Sequence, residues 1–220
     1  MLGNNIISAM KTFPIIETTF QLPAKAGELE VLVTPKNENS MRNAVAIICH
    51  PHPQHGGTMT NKVVTTLART FHDLDLSTVR FNFRGVGKST GSFAEGLGEI
   101  EDLLTVLEWV KQTCPQDEIW LAGFSFGAYV SVQVASKIPV ARLISVAIPV
   151  SWSGLANLPP ITCPWVVVQG DQDEVVSPEK VYLWINTLKP KPVLIKFPKA
   201  GHFFHGQLLE LREQLAKVLR

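Results

Sequence analysis

Three observations predict an α/β fold, a mostly parallel twisted sheet of about eight strands with helices on both faces. Short apolar runs rich in Val and Ile recur along the chain, segments with helical spacing separate them, and the first ~35 residues carry a different pattern. Buried parallel strands read as continuous apolar runs because both faces are covered, and alternation with helices supplies the crossovers.

In order, "IIETTFQL" and "LEVLVT" flank Pro23-Ala24-Lys25-Ala26-Gly27 and read as an N-terminal antiparallel hairpin. The strands that follow are "AVAIICH" (44–50), "STVRFNF" (77–83), "EIWLAG" (118–123), "ARLISVAI" (141–148), "PWVVVQG" (164–170) and "PVLIKF" (192–197). Between them lie the helical segments "TNKVVTTLARTF", "LGEIEDLLTVLEWVKQT", "FGAYVSVQVASKI" and "PEKVYLWINTL", and "GQLLELREQLAKVL" closes the chain. The Leu and Trp positions of "LLTVLEWV" read as core. No repeat or low-complexity tract is evident, and 220 residues with 45% hydrophobic content can bury one core, so residues 1–220 read as one domain. Residues 1–12 read as a loose leader.

Composition narrows the function. A formal net charge of +1 with no Lys/Arg block argues against nucleic-acid or anionic-membrane partners. No apolar run approaches the ~20 residues of a membrane span. Cys49, Cys114 and Cys163 are an odd set without C-x-x-C spacing, which argues against disulfides and thiolate zinc and for a reducing cytoplasm.

In open sheets ligands bind at the C-terminal ends of the strands, so the loops after each run are where chemistry is expected. Gly123-Phe124-Ser125-Phe126-Gly127 joins a strand to a helix as G-x-S-x-G. A sharp turn there pushes the serine outward, and a side chain at either glycine would strike a neighbouring strand or helix. It also sets Ser125 at a helix N-terminus, where the Phe126 amide can face a developing oxyanion. A serine hydroxyl needs a histidine to take its proton and a carboxylate to orient that histidine. Gly170-Asp171-Gln172-Asp173-Glu174 and Gly201-His202-Phe203-Phe204-His205 follow two later strands, giving the chain order serine, acid, histidine.

With these segments, "CHPHPQHGGTMTNKVV" and "FNFRGVGKSTGSF", the chain from about residue 15 onward resembles the α/β-hydrolase superfamily, in particular its small lidless serine hydrolases. The resemblance implies the α/β-hydrolase fold without a cap domain. It selects Asp173 over Asp171 and His202 over His205, and it implies a second oxyanion amide in the loop after "AVAIIC". Pro51 and Pro53 have no amide to donate, so His52 is the expected donor and Gln54 the second choice. His50 is expected to hold that loop by hydrogen bonds, and Gly56-Gly57 to turn it into a helix starting near Thr58.

The twelve residues of "SWSGLANLPPIT" are too few for a cap, so an open cleft is expected, lined by Phe124, Trp152 and Phe203, with Phe126 and Phe204 nearby. No Arg or Lys in the motif loops stands in an obvious position to clamp a charged acid. The reading is a serine hydrolase of short carboxylic esters or thioesters, without cofactor or metal, acting on a small acyl substrate as a monomer or homodimer. Two other readings are a non-catalytic binding protein on the same scaffold and a metal-dependent hydrolase using His50, His52 and His55. The latter lacks an acid within the cluster, and the prolines restrict its geometry. Gly87-Lys88-Ser89 resembles the end of a phosphate loop, but Asn82 replaces the first glycine and breakers follow where a helix must begin. It is expected to be a turn, with Arg84 anchoring the loop and Lys88 solvated.

Overall fold

The computed structural model describes residues 10–155 and 158–220, so most of the expected leader lies outside the described residues. Strands β1 (Thr18–Ala24), β2 (Gly27–Thr34), β3 (Ala44–Cys49), β4 (Ser77–Phe81), β5 (Glu118–Phe124), β6 (Arg142–Val146), β7 (Trp165–Gly170) and β8 (Val193–Phe197) form one sheet. Its order is β1-β2-β4-β3-β5-β6-β7-β8. The β1/β2 and β2/β4 pairs are antiparallel, and every other pair is parallel. Pro23 sits within β1, where the ladder tolerates a missing amide because β1 is an edge strand. The hairpin closes through Lys25-Ala26 alone, tighter than the five-residue turn expected from sequence.

Helices α1 (Lys62–Asp73), α2 (Leu97–Thr113), α3 (Phe126–Ala135), α4 (Pro178–Thr187) and α5 (Leu208–Leu219) divide between the two faces. Leu103 and Val106 of α2, Val130 of α3 and Val181 of α4 join one core cluster with Ile47 and Leu121. Val64 and Leu67 of α1 and Leu211 and Leu215 of α5 join the other with Ile48 and Ala122. Alternate residues of β3 and β5 thus feed opposite cores, which is the period-two geometry of a strand. Helix α1 starts four residues later than the glycine pair suggested: Asn61 caps it, its side chain accepting from the Val63 amide at 2.9 Å. The intervening loop holds a single 3-10 turn at Pro53–His55 that the sequence reading missed. Between β6 and β7 the described residues form only turns, with no helix and no cap domain. No described helix is long and apolar enough to cross a membrane.

The turn after β4 explains the Gly87-Lys88-Ser89 stretch. In a phosphate loop the Lys88 amide would face a bound phosphate. Here it donates to the Glu30 carboxylate at 3.0 Å, which also accepts from Asn82 Nδ2 at 2.7 Å. Gly87 adopts φ +57°, and a Cβ there would stand 2.4 Å from Asn82 Nδ2. Arg84 grips Asp102 of α2 through Nη2 at 2.7 Å and Nε at 3.1 Å, fixing the loop to the helix. The Lys88 side chain is exposed.

Candidate active site

At the C-terminal end of β5 the chain reverses into α3 through Ser125, whose backbone takes φ 54° and ψ −118°. A non-glycine residue holds such a conformation only when its surroundings impose it. They do so by close packing. A Cβ on Gly123 would lie 2.2 Å from the Gly127 carbonyl, and one on Gly127 would lie 2.3 Å from the Cys49 carbonyl oxygen of β3. The Ser125 amide donates to Val146 of β6 at 2.8 Å, tying the elbow to its other neighbour.

Two further loops meet at this point. The Gln172 amide donates to the Ala200 carbonyl at 3.1 Å and the Asp171 amide to that of Phe197 at 2.9 Å, so the loops after β7 and β8 are laced together. A Cβ on Gly170 would meet the Ala200 oxygen at 2.3 Å. The lacing brings His202 between Ser125 and Asp173. His202 Nδ1 donates to Asp173 Oδ2 at 2.9 Å, and Nε2 lies 3.0 Å from Ser125 Oγ. With a proton on Nδ1, Nε2 carries the free lone pair and accepts from the serine hydroxyl.

Asp173 is held by more than the histidine. Its Oδ1 accepts from the amides of Val175 at 2.9 Å and Val176 at 2.7 Å, and Oδ2 accepts from Gln169 Nε2 at 3.1 Å. Burial pushes its pKa up, but His202 and these amides outweigh it and hold the carboxyl below its ordinary value. Asp171 is exposed and engages the Tyr182 hydroxyl. His205 is exposed and packs on Phe203.

His50 is fully buried and uses both ring nitrogens. Nδ1 donates to the Pro51 carbonyl at 2.6 Å, and Nε2 accepts from the Phe83 amide at 3.0 Å. The metal reading therefore loses its first ligand. In a trans peptide the N–H points opposite the C=O, so drawing the Pro51 oxygen to His50 turns the His52 amide the other way. Among the described residues that amide and the Phe126 amide have no acceptor. The Gln54 amide donates to His52 Nδ1 at 3.2 Å, which occupies the second-choice donor. Burial lowers the His50 pKa from its ordinary 6.5 to about 4. The unfolded chain therefore binds a proton that the folded one refuses between those values, and stability falls as pH drops through this window. Urea titrations at pH 7 and pH 4 should differ by about 3 kcal/mol on account of His50. That difference should shrink in His50→Gln, and an unchanged pH dependence would show that His50 is not the buried neutral group.

A cleft of about 320 Å³ opens beside Ser125, walled by Phe126, Val150, Trp152, Val175, Val176 and Lys180, with His52 and His55 at one side. Trp152 stands where the sequence placed it, but Phe124 and Phe203 do not reach the cleft. Phe124 is 0% exposed and packs under His202 at 5.0 Å, because strand alternation sends its ring to the α1 and α5 face. Phe203 is 42% exposed and abuts the outer edge of His202 at 5.1 Å. Phe204 is fully buried against Phe197. The sequence reading missed Val150, Val175, Val176 and Lys180. Lys180, on the first turn of α4, also puts a cation in a wall where the motif loops promised none. The Asp173 loop's apolar Val175-Val176 pair was the available signal for the others.

The fold and this serine, histidine and carboxylate geometry define an α/β-hydrolase. The chain belongs to that family: the family model described as alpha/beta hydrolase fold matches residues 47–162. It is similar to an alpha-beta serine hydrolase homologue from Coxiella burnetii, at 51% identity and TM-score 0.90 over 95% of this chain and 100% of that one. It is also similar to an a/b serine hydrolase without lid from Xanthomonas campestris, at 43% identity and TM-score 0.90 over 94% of each chain. Protein RP471 of Rickettsia prowazekii is 35% identical over 185 residues, 80% of this chain and 78% of that protein.

Proposed function

We propose that the protein is a serine hydrolase that cleaves small or short-chain carboxylic esters through an acyl-enzyme on Ser125. One observation carries the reading: Ser125, His202 and Asp173 lie in hydrogen-bonded series beside two amides that have no acceptor among the described residues. As His202 Nε2 takes the hydroxyl proton, Ser125 Oγ bonds to the acyl carbon, and the carbonyl π pair moves onto oxygen. The amides of Phe126 and His52 stabilise that oxyanion. Collapse breaks the bond to the leaving alkoxide, which receives the proton from Nε2. Water, deprotonated by the same nitrogen, then attacks the acyl-enzyme and releases the acid and Ser125. Asp173 keeps the ring in the tautomer both steps need and stabilises the imidazolium that forms in each.

The open cleft favours short acyl groups. Among the described residues no carboxylate lines it and Lys180 does, so neutral or anionic esters fit it better than cationic ones. Thioesters are the second class. Unactivated amides fit less well, because an open site gives a poor leaving group little positioning. The described residues form one continuous sheet, and we infer that the chain works as a single α/β-hydrolase domain.

Labelling with a fluorophosphonate tests the assignment. The folded wild type should be modified at Ser125, Ser125→Ala should not label, and a chelator should change nothing. A folded wild type that resists labelling would leave a binding protein on a hydrolase scaffold as the better reading.

A further inference from the structure

A second cleft, of about 340 Å³, lies on the α1 and α5 face of the sheet, and none of Ser125, His202, Asp173 or Lys180 lines it. Three arginines from three elements converge there: Arg69 of α1, Arg80 of β4 and Arg212 of α5. Arg212 is matched, its Nε donating to Asp73 Oδ2 at 2.6 Å. The other carboxylate in the lining, Glu17, accepts from the Thr34 hydroxyl at 2.9 Å. Among the described residues Arg69 and Arg80 form no ion pair.

Arg80 is the unusual one. It occupies an inward position of a sheet strand whose neighbours Val79 and Phe81 are fully buried on the opposite face. Its Nε is buried without a hydrogen-bond partner. Among the described residues its guanidinium makes one hydrogen bond, from Nη1 to the Met59 carbonyl, at a long 3.4 Å. Burial holds the guanidinium pKa below its ordinary value; Glu17 offsets part of this, and Arg69 adds to it by like-charge repulsion. Two guanidiniums within range of each other's field, one of them desolvated and incompletely hydrogen-bonded, are stabilised when an anion lies between them.

We propose that this cleft is an oxyanion-binding site, taking the phosphate or carboxylate group of a small ligand on Arg80 and Arg69. A guanidinium presents a planar fork that matches both groups. Three guanidiniums against two carboxylates leave the cleft with one net positive charge while His72 is neutral. The site is independent of the hydrolytic reading, because none of Ser125, His202 and Asp173 lines it.

Thermal unfolding and titration calorimetry of the 220-residue chain with inorganic phosphate, citrate and sodium chloride test this. Concentrations up to about 10 mM at matched ionic strength keep general salt exclusion small. At tenfold above its dissociation constant, a bound anion should raise Tm by about 3 °C. Arg80→Gln should abolish the shift and Arg69→Met should weaken it, the latter being an exposed substitution that keeps the test valid if Arg80→Gln folds poorly. A response to phosphate alone assigns a phosphate-bearing ligand, and one to citrate alone a carboxylate. An equal rise with chloride, no binding of either oxyanion, or shifts that survive in both variants would overturn the proposal.

Discussion

Replacing Ser125 by alanine is expected to lower turnover of a short aryl ester by about 10⁶-fold, and Asp173 by asparagine by about 10⁴-fold, in protein that still folds. On the proposed mechanism, the first change removes the atom that bonds to the acyl carbon. The second keeps the shape and reverses a proton. Asparagine can still accept from the amides of Val175 and Val176 through its carbonyl oxygen. Its NH₂ then faces His202 Nδ1, where Asp173 now accepts at 2.9 Å. A donor there forces the imidazole proton onto Nε2, which can no longer accept from Ser125. Asp171→Asn is the control, since its exposed carboxylate meets Tyr182 rather than a histidine. Steady-state kinetics on the three variants decide the matter. If Asp171→Asn fell as far as Asp173→Asn, the acid would be misassigned.

Gly127→Ala is expected to cost at least about 4 kcal/mol and to leave little folded protein. The added Cβ would lie 2.3 Å from the Cys49 oxygen, 2.5 Å from its carbonyl carbon and 2.6 Å from the His50 oxygen. All three are backbone atoms. Cys49 ends β3, which is laddered to β4 on one side and β5 on the other, so it has no direction in which to yield. Gly56 is the contrast. It has φ +74° with open space around it, so Gly56→Ala should cost only about 1 kcal/mol from backbone strain. Urea unfolding compares them, and a Gly127→Ala protein within about 1 kcal/mol of wild type would mean the elbow does not need this close approach.

Much of the fold was legible because buried parallel strands advertise themselves. Helix α2 runs over the same residues the spacing marked, 97–113, where Leu103, Val106, Leu107 and Val110 recur on one face. Boundaries set by capping were less legible: the Gly56-Gly57 pair suggested a helix from Thr58, yet the Asn61 side chain fixes its start. Within the candidate site, the residues that meet are Ser125, Asp173 and His202, each placed after a strand end by the chain order. The cleft wall was not legible. Phe124 and Phe203 adjoin motif residues in sequence, but strand alternation turned Phe124 to the other core, and Phe203, in the loop after β8, packs on the outer edge of His202.

By itself, then, the sequence determined the α/β architecture, the strained serine turn and the order of the three polar loops, because period, glycine placement and strand ends are local properties of the chain. Only the tertiary structure set the distance at which Asp173 faces His202, left the His52 amide without an acceptor among the described residues, and lined the cleft with Lys180. It alone also brought Arg69, Arg80 and Arg212 together from three elements. Each of these depends on contacts between segments far apart in the chain, and those are set by how helices and loops pack on the finished sheet.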